Sequence, residues 1–291
     1  MAAVLLALAS ALLFGGMTVA LRFALRAEPR AELGAVVSSG VAFVVVAAAA
    51  VLEPGTGELA RPRELAVFAL AGLLAPGLSQ ILFLLAIRDA GSSRASVVVG
   101  AAPLVAASLA VALLGEPLEW PLAVGAVLIV VAGTLLAAET RRPQHFRAVG
   151  LAFAAVATVL FSTRDVVVRW YSEEASLGSV EAASSALAAG LLVMLGFAAV
   201  RHGNGLAAAL VRPSLLRFAP AGALFGLSYV LLFEAYYRGK VTVVSPLVAT
   251  EALWTVLLSA LLLRRSELVG LRLVVGALLV VAGGVLVGAS R

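Results

Sequence analysis

The chain has no cysteine, and that excludes a disulfide framework, a thiolate metal site and a cysteine nucleophile. It has a single lysine, Lys240, so its net charge of +5 is almost entirely arginine. Charged residues make up only 13% of its 291 residues, about half the usual share for a soluble domain. No Walker A sequence is present, which leaves direct nucleotide-driven chemistry without a basis, and the two histidines, His145 and His202, stand alone in polar connectors without a metal-ligating constellation. Carboxylate-rich motifs for a metal diphosphate are also missing, because Glu173-Glu174 is an isolated pair.

What the chain does have is apolar length. With 63% hydrophobic residues and a mean hydropathy of +1.10, it cannot coat a water-soluble globule with polar surface. Runs of about 17 to 25 residues, enough to span a bilayer as helices, fall at 2-22, 33-52, 65-87, 95-114, 120-138, 148-168, 177-200, 215-237, 241-263 and 268-289. The runs are continuously apolar, whereas barrel strands alternate, so helices are expected. The arginines sit between these runs, where they read as membrane-edge anchors and not as a phosphate-binding face, so no nucleic-acid partner is expected. No basic residue precedes the first run and it exceeds a signal-peptide core, which favours a retained helix.

The chain also repeats itself. Val124-Gly125-Ala126-Val127-Leu128 returns as Val275-Gly276-Ala277-Leu278-Leu279, with Glu116 and Glu267 each nine residues before the first glycine. Phe14 through Arg22-Phe23 aligns with Phe161 through Arg169-Trp170, and Gly77-Leu78-Ser79 with Gly226-Leu227-Ser228, at offsets of 147, 149 and 151 across the three matches. The expected organisation is a first five-helix repeat at 1-138, a linker at 139-147 and a second repeat at 148-291. An odd number of spans per half makes the two copies enter the membrane from opposite sides. The fold class is therefore an all-α integral membrane protein, with ten transmembrane helices as two inverted five-helix repeats. Such repeats build secondary transporters with a site between the halves near the midplane.

The run from Pro103 to Gly115-Glu116, Gly125 in the next helix, and the turn Arg88-Asp89-Ala90-Gly91-Ser92 resemble an EamA-type unit of the drug/metabolite transporter superfamily, and Glu267 and Gly276 repeat the pattern. The resemblance covers the whole chain. One departure is visible: the position answering to Pro103 is Trp254, and Pro246 lies earlier, which weakens any mechanism that needs symmetric proline breaks. The resemblance implies a multi-pass exporter or importer of small organic metabolites; the expected function is a secondary transporter of a small organic metabolite or drug-like solute, amino-acid-like molecules included, across the cytoplasmic membrane by alternating access with proton coupling or exchange, not an enzyme and without cofactor or resident metal. A small-molecule substrate and the lipid bilayer are the expected partners, with a monomer or homodimer as the assembly. The alternative is a membrane-embedded enzyme or lipid flippase acting on an amphipathic substrate.

Charges inside spans cost about 2.5 to 3.5 kcal/mol on insertion scales and mark a pathway or coupling site. Four qualify: Arg164, Asp165, Glu234 and Glu251. Helical rise puts Glu234 roughly 6 Å inside the Arg238 edge, Arg164 and Asp165 roughly 8 to 9 Å inside the Trp170 edge, and Glu251 roughly 16 Å from Lys240. Glu251 is the sharpest candidate for proton coupling or substrate contact, with a protonated or hydrogen-bonded structural glutamate as the plainer reading; Arg164 is the expected cation beside it or the holder of a substrate carboxylate, the alternative being an internal pair with Asp165 or snorkelling toward the edge. Adjacent helical residues diverge by about 100°, so Arg164 and Asp165 are not expected to face one cavity together. Glu234 is shallow enough for an interfacial role. Expected cavity-lining companions are Gln80 and Tyr229, which are repeat equivalents, together with Ser79, Ser228 and Trp254; for the serines, helix packing is the plainer reading.

Orientation is open. Even-numbered loops and the termini hold Arg61, Arg63, Arg169, Arg238, Lys240 and Arg291, while the odd-numbered loops hold fourteen arginines. The positive-inside rule puts the termini outside, and the family resemblance implies termini inside.

Overall fold

The computed structural model describes residues 1–52, 62–114, 120–137, 146–172, 175–263 and 267–289, and among these there is no strand. The first half comprises α1 (Ala2–Ala27), α2 (Ala31–Leu52), α3 (Pro62–Gly72), α4 (Ser79–Ala90), α5 (Ser92–Val99), α6 (Ala102–Leu114) and α7 (Trp120–Ala137). The second comprises α8 (Val149–Ser172), α9 (Ser179–His202), the short α10 (Leu206–Leu210), α11 (Ala219–Arg238), α12 (Val241–Val248), α13 (Glu251–Leu258) and α14 (Leu271–Ala289). Seven helical stretches are long and apolar enough to cross a membrane, and Ser92–Ala106, Ala123–Leu136 and Leu271–Leu286 are shorter apolar helices. Helices dominate because in hydrocarbon every backbone N–H and C=O must find its partner within the segment.

Three apolar runs that the sequence presents as continuous are broken. Pro76 lacks an N–H to donate, and the chain from Leu73 to Leu78 widens into a π-helical turn in which Ala75 leaves helical geometry at φ −142° and ψ 117°. The carbonyl of Ala75 accepts a hydrogen bond from the Tyr229 hydroxyl at 3.3 Å, a partner that a membrane interior must supply from protein. The other two breaks are repeat equivalents: α5 gives way to α6 at Gly100-Ala101, and α12 to α13 at Ala249-Thr250. Pro103 follows the first break and Pro246 precedes the second. The breaks are therefore symmetric although the prolines are not; aligned on them, Pro103 answers to Ala252 and not to Trp254, and the objection raised by that mismatch falls away.

Helix packing follows the duplication. α1 packs on α11 as α8 packs on α4, α2 on α11 as α9 on α3, and α1 on α12 and α13 as α8 on α5 and α6. Close approach depends on small residues, as is usual between helices in lipid. A Cβ on Gly72 would stand 2.2 Å from the carbonyl oxygen of Ala186, and one on Gly222 2.5 Å from that of Ser38. α7 and α14 pair with each other at one side, where Gly283 meets the carbonyl oxygen of Gly125.

Direction can be read from the ends. Arg22, in the last turns of α1, donates to the carbonyl of Ile87 at 2.9 Å near the end of α4. At that same end Gly150, opening α8, meets Ala90 and Asp89, and the Arg147 amide donates to the Asp89 carbonyl at 2.7 Å. The repeat-equivalent helices α1 and α8 thus run in opposite directions. Gly239, between α11 and α12, meets Ala3 at the start of α1, which defines the opposite face of the bundle beside Lys240.

Candidate functional site

A partly open cavity of about 520 Å³, counted out to its mouth, lies between the halves. The first half contributes only apolar lining: Phe14 and Met17 from α1, Phe83 from α4, and Val99 and Ala102 at the α5–α6 break. The second half contributes Phe161, Arg164 and Asp165 from α8, Leu232 from α11, and Ser245, Val248, Ala249 and Glu251 around the α12–α13 break. Glu251 is the repeat equivalent of Ala102, so duplicated backbone geometry carries a carboxyl on one wall and a methyl group on the other.

Arg164 and Asp165 both line this cavity, contrary to the expectation from their 100° divergence. The arginine is long enough to turn back on its neighbour, and its Nε donates to Asp165 Oδ1 at 2.6 Å. Its guanidinium carbon stands 5.1 Å from the Tyr229 ring centroid and 5.9 Å from those of Phe161 and Phe233, within cation–π range. Nη1 is buried with no hydrogen-bond partner among the described residues. Arg164 therefore pairs with Asp165, not with Glu251.

Glu251 is 7% exposed and opens α13 directly after the break, not mid-helix as an uninterrupted span would have it. Among the described residues it has no hydrogen bond or ion pair. A buried carboxyl facing a cavity without a partner is costly when ionised, so it takes a proton or an external cation.

The other sequence candidates lie elsewhere. Glu234 accepts hydrogen bonds from the Ser179 hydroxyl and from Arg238 one turn on, an arrangement at the end of the span. Ser228 exchanges hydrogen bonds with Ser10 on α1 at 2.9 to 3.0 Å, which ties α11 to α1. Ser79 and Gln80 are buried in α4. Trp254 turns toward α1, where its Cβ would be 2.8 Å from a Cβ on Gly15. None of these, nor Tyr229, is among the lining residues of this cavity. Tyr229 instead lies beneath the Arg164 guanidinium and serves the Ala75 carbonyl.

Sequence reasoning missed one cluster. Glu267 is 0% exposed. Its Oε1 stands 2.7 Å from Arg22 Nε, and its carboxylate faces the Ser92 and Ser93 amides at 3.3 and 3.4 Å, capping α5. Arg94 Nη1 donates to the Glu267 backbone carbonyl at 3.1 Å. Below it Ser92 meets Ser259 at 2.9 Å, and Ser96 donates to Thr255 at 3.1 Å. This ladder joins the halves at the Arg22 face. Its repeat equivalents at the Lys240 face are mixed: Val241, Val243 and Ala106 answer to Ser92, Arg94 and Thr255, whereas Arg169, Thr242 and Ser245 answer to Arg22, Ser93 and Ser96. The available signal was the glutamate repeated in phase with the glycine motif. Its first copy, Glu116, lies outside the described residues, as does the linker at 139–145. His202, in turn, sits 3.3 Å from Glu32 beside Arg201.

Comparison with known proteins agrees with this architecture. No curated protein matches the chain. A solved structure titled "Crystal structure of protein" superposes with a TM-score of 0.61 at 21% identity, covering 98% of this chain and 95% of the other, and so shares the fold. The model of the EamA-like transporter family matches residues 1–138 and again 148–289. Two family units in tandem, in a helical, multi-pass membrane protein, show that the chain belongs to the EamA-like transporter family, whose members are membrane transporters of small solutes.

Proposed function

We propose that the protein is a secondary transporter of a small organic metabolite or drug-like solute in the cytoplasmic membrane, working by alternating access with proton coupling or exchange at Glu251. The observation that carries this reading is the asymmetry of the two faces. A cavity with three ionisable side chains lies at the helix breaks, with Leu232 and Ser245 of its lining on the Lys240 side, while the Arg22–Glu267 ladder ties the halves together at the other face. The opposed directions of α1 and α8 support ten passes in two inverted repeats, residues 1-138 and 148-291, joined by the 139-147 linker. Rocking of one half against the other would part the ladder and close the Lys240 side.

In this reading Glu251 exchanges a proton for substrate, and Arg164 and Asp165 form the polar wall that orients it. Glu234 clasps the end of α11 to α9, whereas Ser79, Gln80, Ser228, Tyr229 and Trp254 shape the bundle around the site. The chain works as a monomer or homodimer without cofactor. Reconstitution into liposomes with counterflow of a loaded solute, followed by product analysis, tests the proposal. Accumulation of unaltered solute that responds to a pH gradient is expected. Chemical conversion of the solute, or scrambling of lipid without solute movement, would replace the transporter by an enzyme or a flippase.

A further inference from the structure

We propose that this cavity takes an amphipathic organic cation, an amine carried on an aromatic or aliphatic body, with its ammonium as the counter-ion of Glu251. The inference rests on the transport reading above and deepens it by naming the substrate class.

The charges decide the class. The lining holds one guanidinium and two carboxyl groups. Arg164 and Asp165 neutralise each other at 2.6 Å, which leaves Glu251 as the group without a partner among the described residues. Buried charges persist only when paired, so the occupant that displaces the proton from Glu251 and completes the ionised site is positive. An anion would bring a further negative charge into a cavity whose one cation is already matched.

The walls decide the body. Phe14, Phe83 and Phe161 stand on α1, α4 and α8, with Met17 and Leu232 between them. Aromatic faces attract an ammonium as well as a hydrocarbon, and a thioether adapts to varied shapes. A small hydrated cation would leave these walls unused.

The test uses four probes that share one aromatic body: 2-phenylethylamine, 2-phenylethanol, 3-phenylpropionate and phenylalanine. Binding to the purified full-length protein is measured by thermal shift and calorimetry at fixed pH, and counterflow is measured separately in liposomes. The amine is expected to bind at least about ten-fold more tightly than the other three. In Glu251→Gln its advantage over the alcohol should shrink to within about three-fold, with alcohol binding retained. Tighter binding of phenylalanine or phenylpropionate, absence of amine binding at millimolar concentration, or an amine preference that survives Glu251→Gln would overturn the assignment. If that variant does not fold, the head-group order on the unaltered chain decides alone. Amine binding without counterflow would uphold the site and remove the transporter reading. Counterflow of phenylalanine or phenylpropionate with no amine binding would do the reverse.

Discussion

Arg22 Nε stands 2.7 Å from Glu267 Oε1, and the two side chains, 10% and 0% exposed, tie the end of α1 in one half to the turn before α14 in the other. Removing one member of a buried pair strands the other charge, at about 3 to 5 kcal/mol. If the ladder closes the Arg22 face, Glu267→Gln weakens that closure. A single cysteine at Ser96, otherwise buried beneath the pair, should then react faster with an impermeant thiol reagent applied from that face. The double variant Arg22→Gln/Glu267→Gln should recover part of the stability lost in either single variant. Unchanged labelling in a folded Glu267→Gln protein would make the pair packing and not a gate.

Glu251→Gln keeps the shape and hydrogen-bonding capacity of the side chain but cannot titrate. The variant should insert and fold like the parent while its transport loses most of its response to an imposed pH gradient. Liposome assays over a range of internal pH measure this. A parental pH response would remove Glu251 from coupling.

Asp165 and Arg164 should fail unequally when separated and together. Asp165→Asn leaves a guanidinium buried at 3% exposure and should cost about 3 to 5 kcal/mol, more than the double change Arg164→Gln/Asp165→Asn. Unfolding in detergent distinguishes them. Additive losses would mean the pair is not coupled.

Glu28, in the turn between α1 and α2, has its carboxyl held down at about 2, below the ordinary 4.5, chiefly by its hydrogen bond to Arg30, with Ser214 adding a second against the opposing effect of burial. A depressed carboxyl contributes stability that is complete above the unfolded value and fades as pH falls toward the folded one. Between pH 4.5 and about 2 the parent should therefore lose stability that Glu28→Gln lacks at every pH. Thermal unfolding at stepped acidic pH should bring the two curves together; parallel curves would contradict it.

The arginine asymmetry predicts termini outside and the 139-147 linker in the cytoplasm, against what the family resemblance implies. Because the chain has no native cysteine, one cysteine placed between Arg141 and Arg147 reports directly. An impermeant reagent on intact cells should leave it unlabelled. Efficient labelling would give the orientation that the family resemblance implies.

The apolar runs, the duplication and the charged positions inside spans were legible because membrane insertion and helix formation act on local composition. The polarity of the second half was legible too, since Arg164, Asp165 and Glu251 stand out against apolar neighbours. The broken spans were only partly legible. Gly100 marks the first break, but Ala249-Thr250 carries no glycine or proline, and its position becomes evident only from the symmetry with the first half.

The sequence by itself determined that this chain is helical, lives in a bilayer and is built twice, because hydropathy, length and internal repetition are properties of the string. Tertiary structure alone decided which charges meet. Side-chain reach turned Arg164 onto Asp165 and left Glu251 without a partner, and packing of the halves buried Glu267 against Arg22 and the start of α5. These pairings join residues through the bundle and not along the chain, and in a low-dielectric interior the partner that packing supplies sets what each charge does.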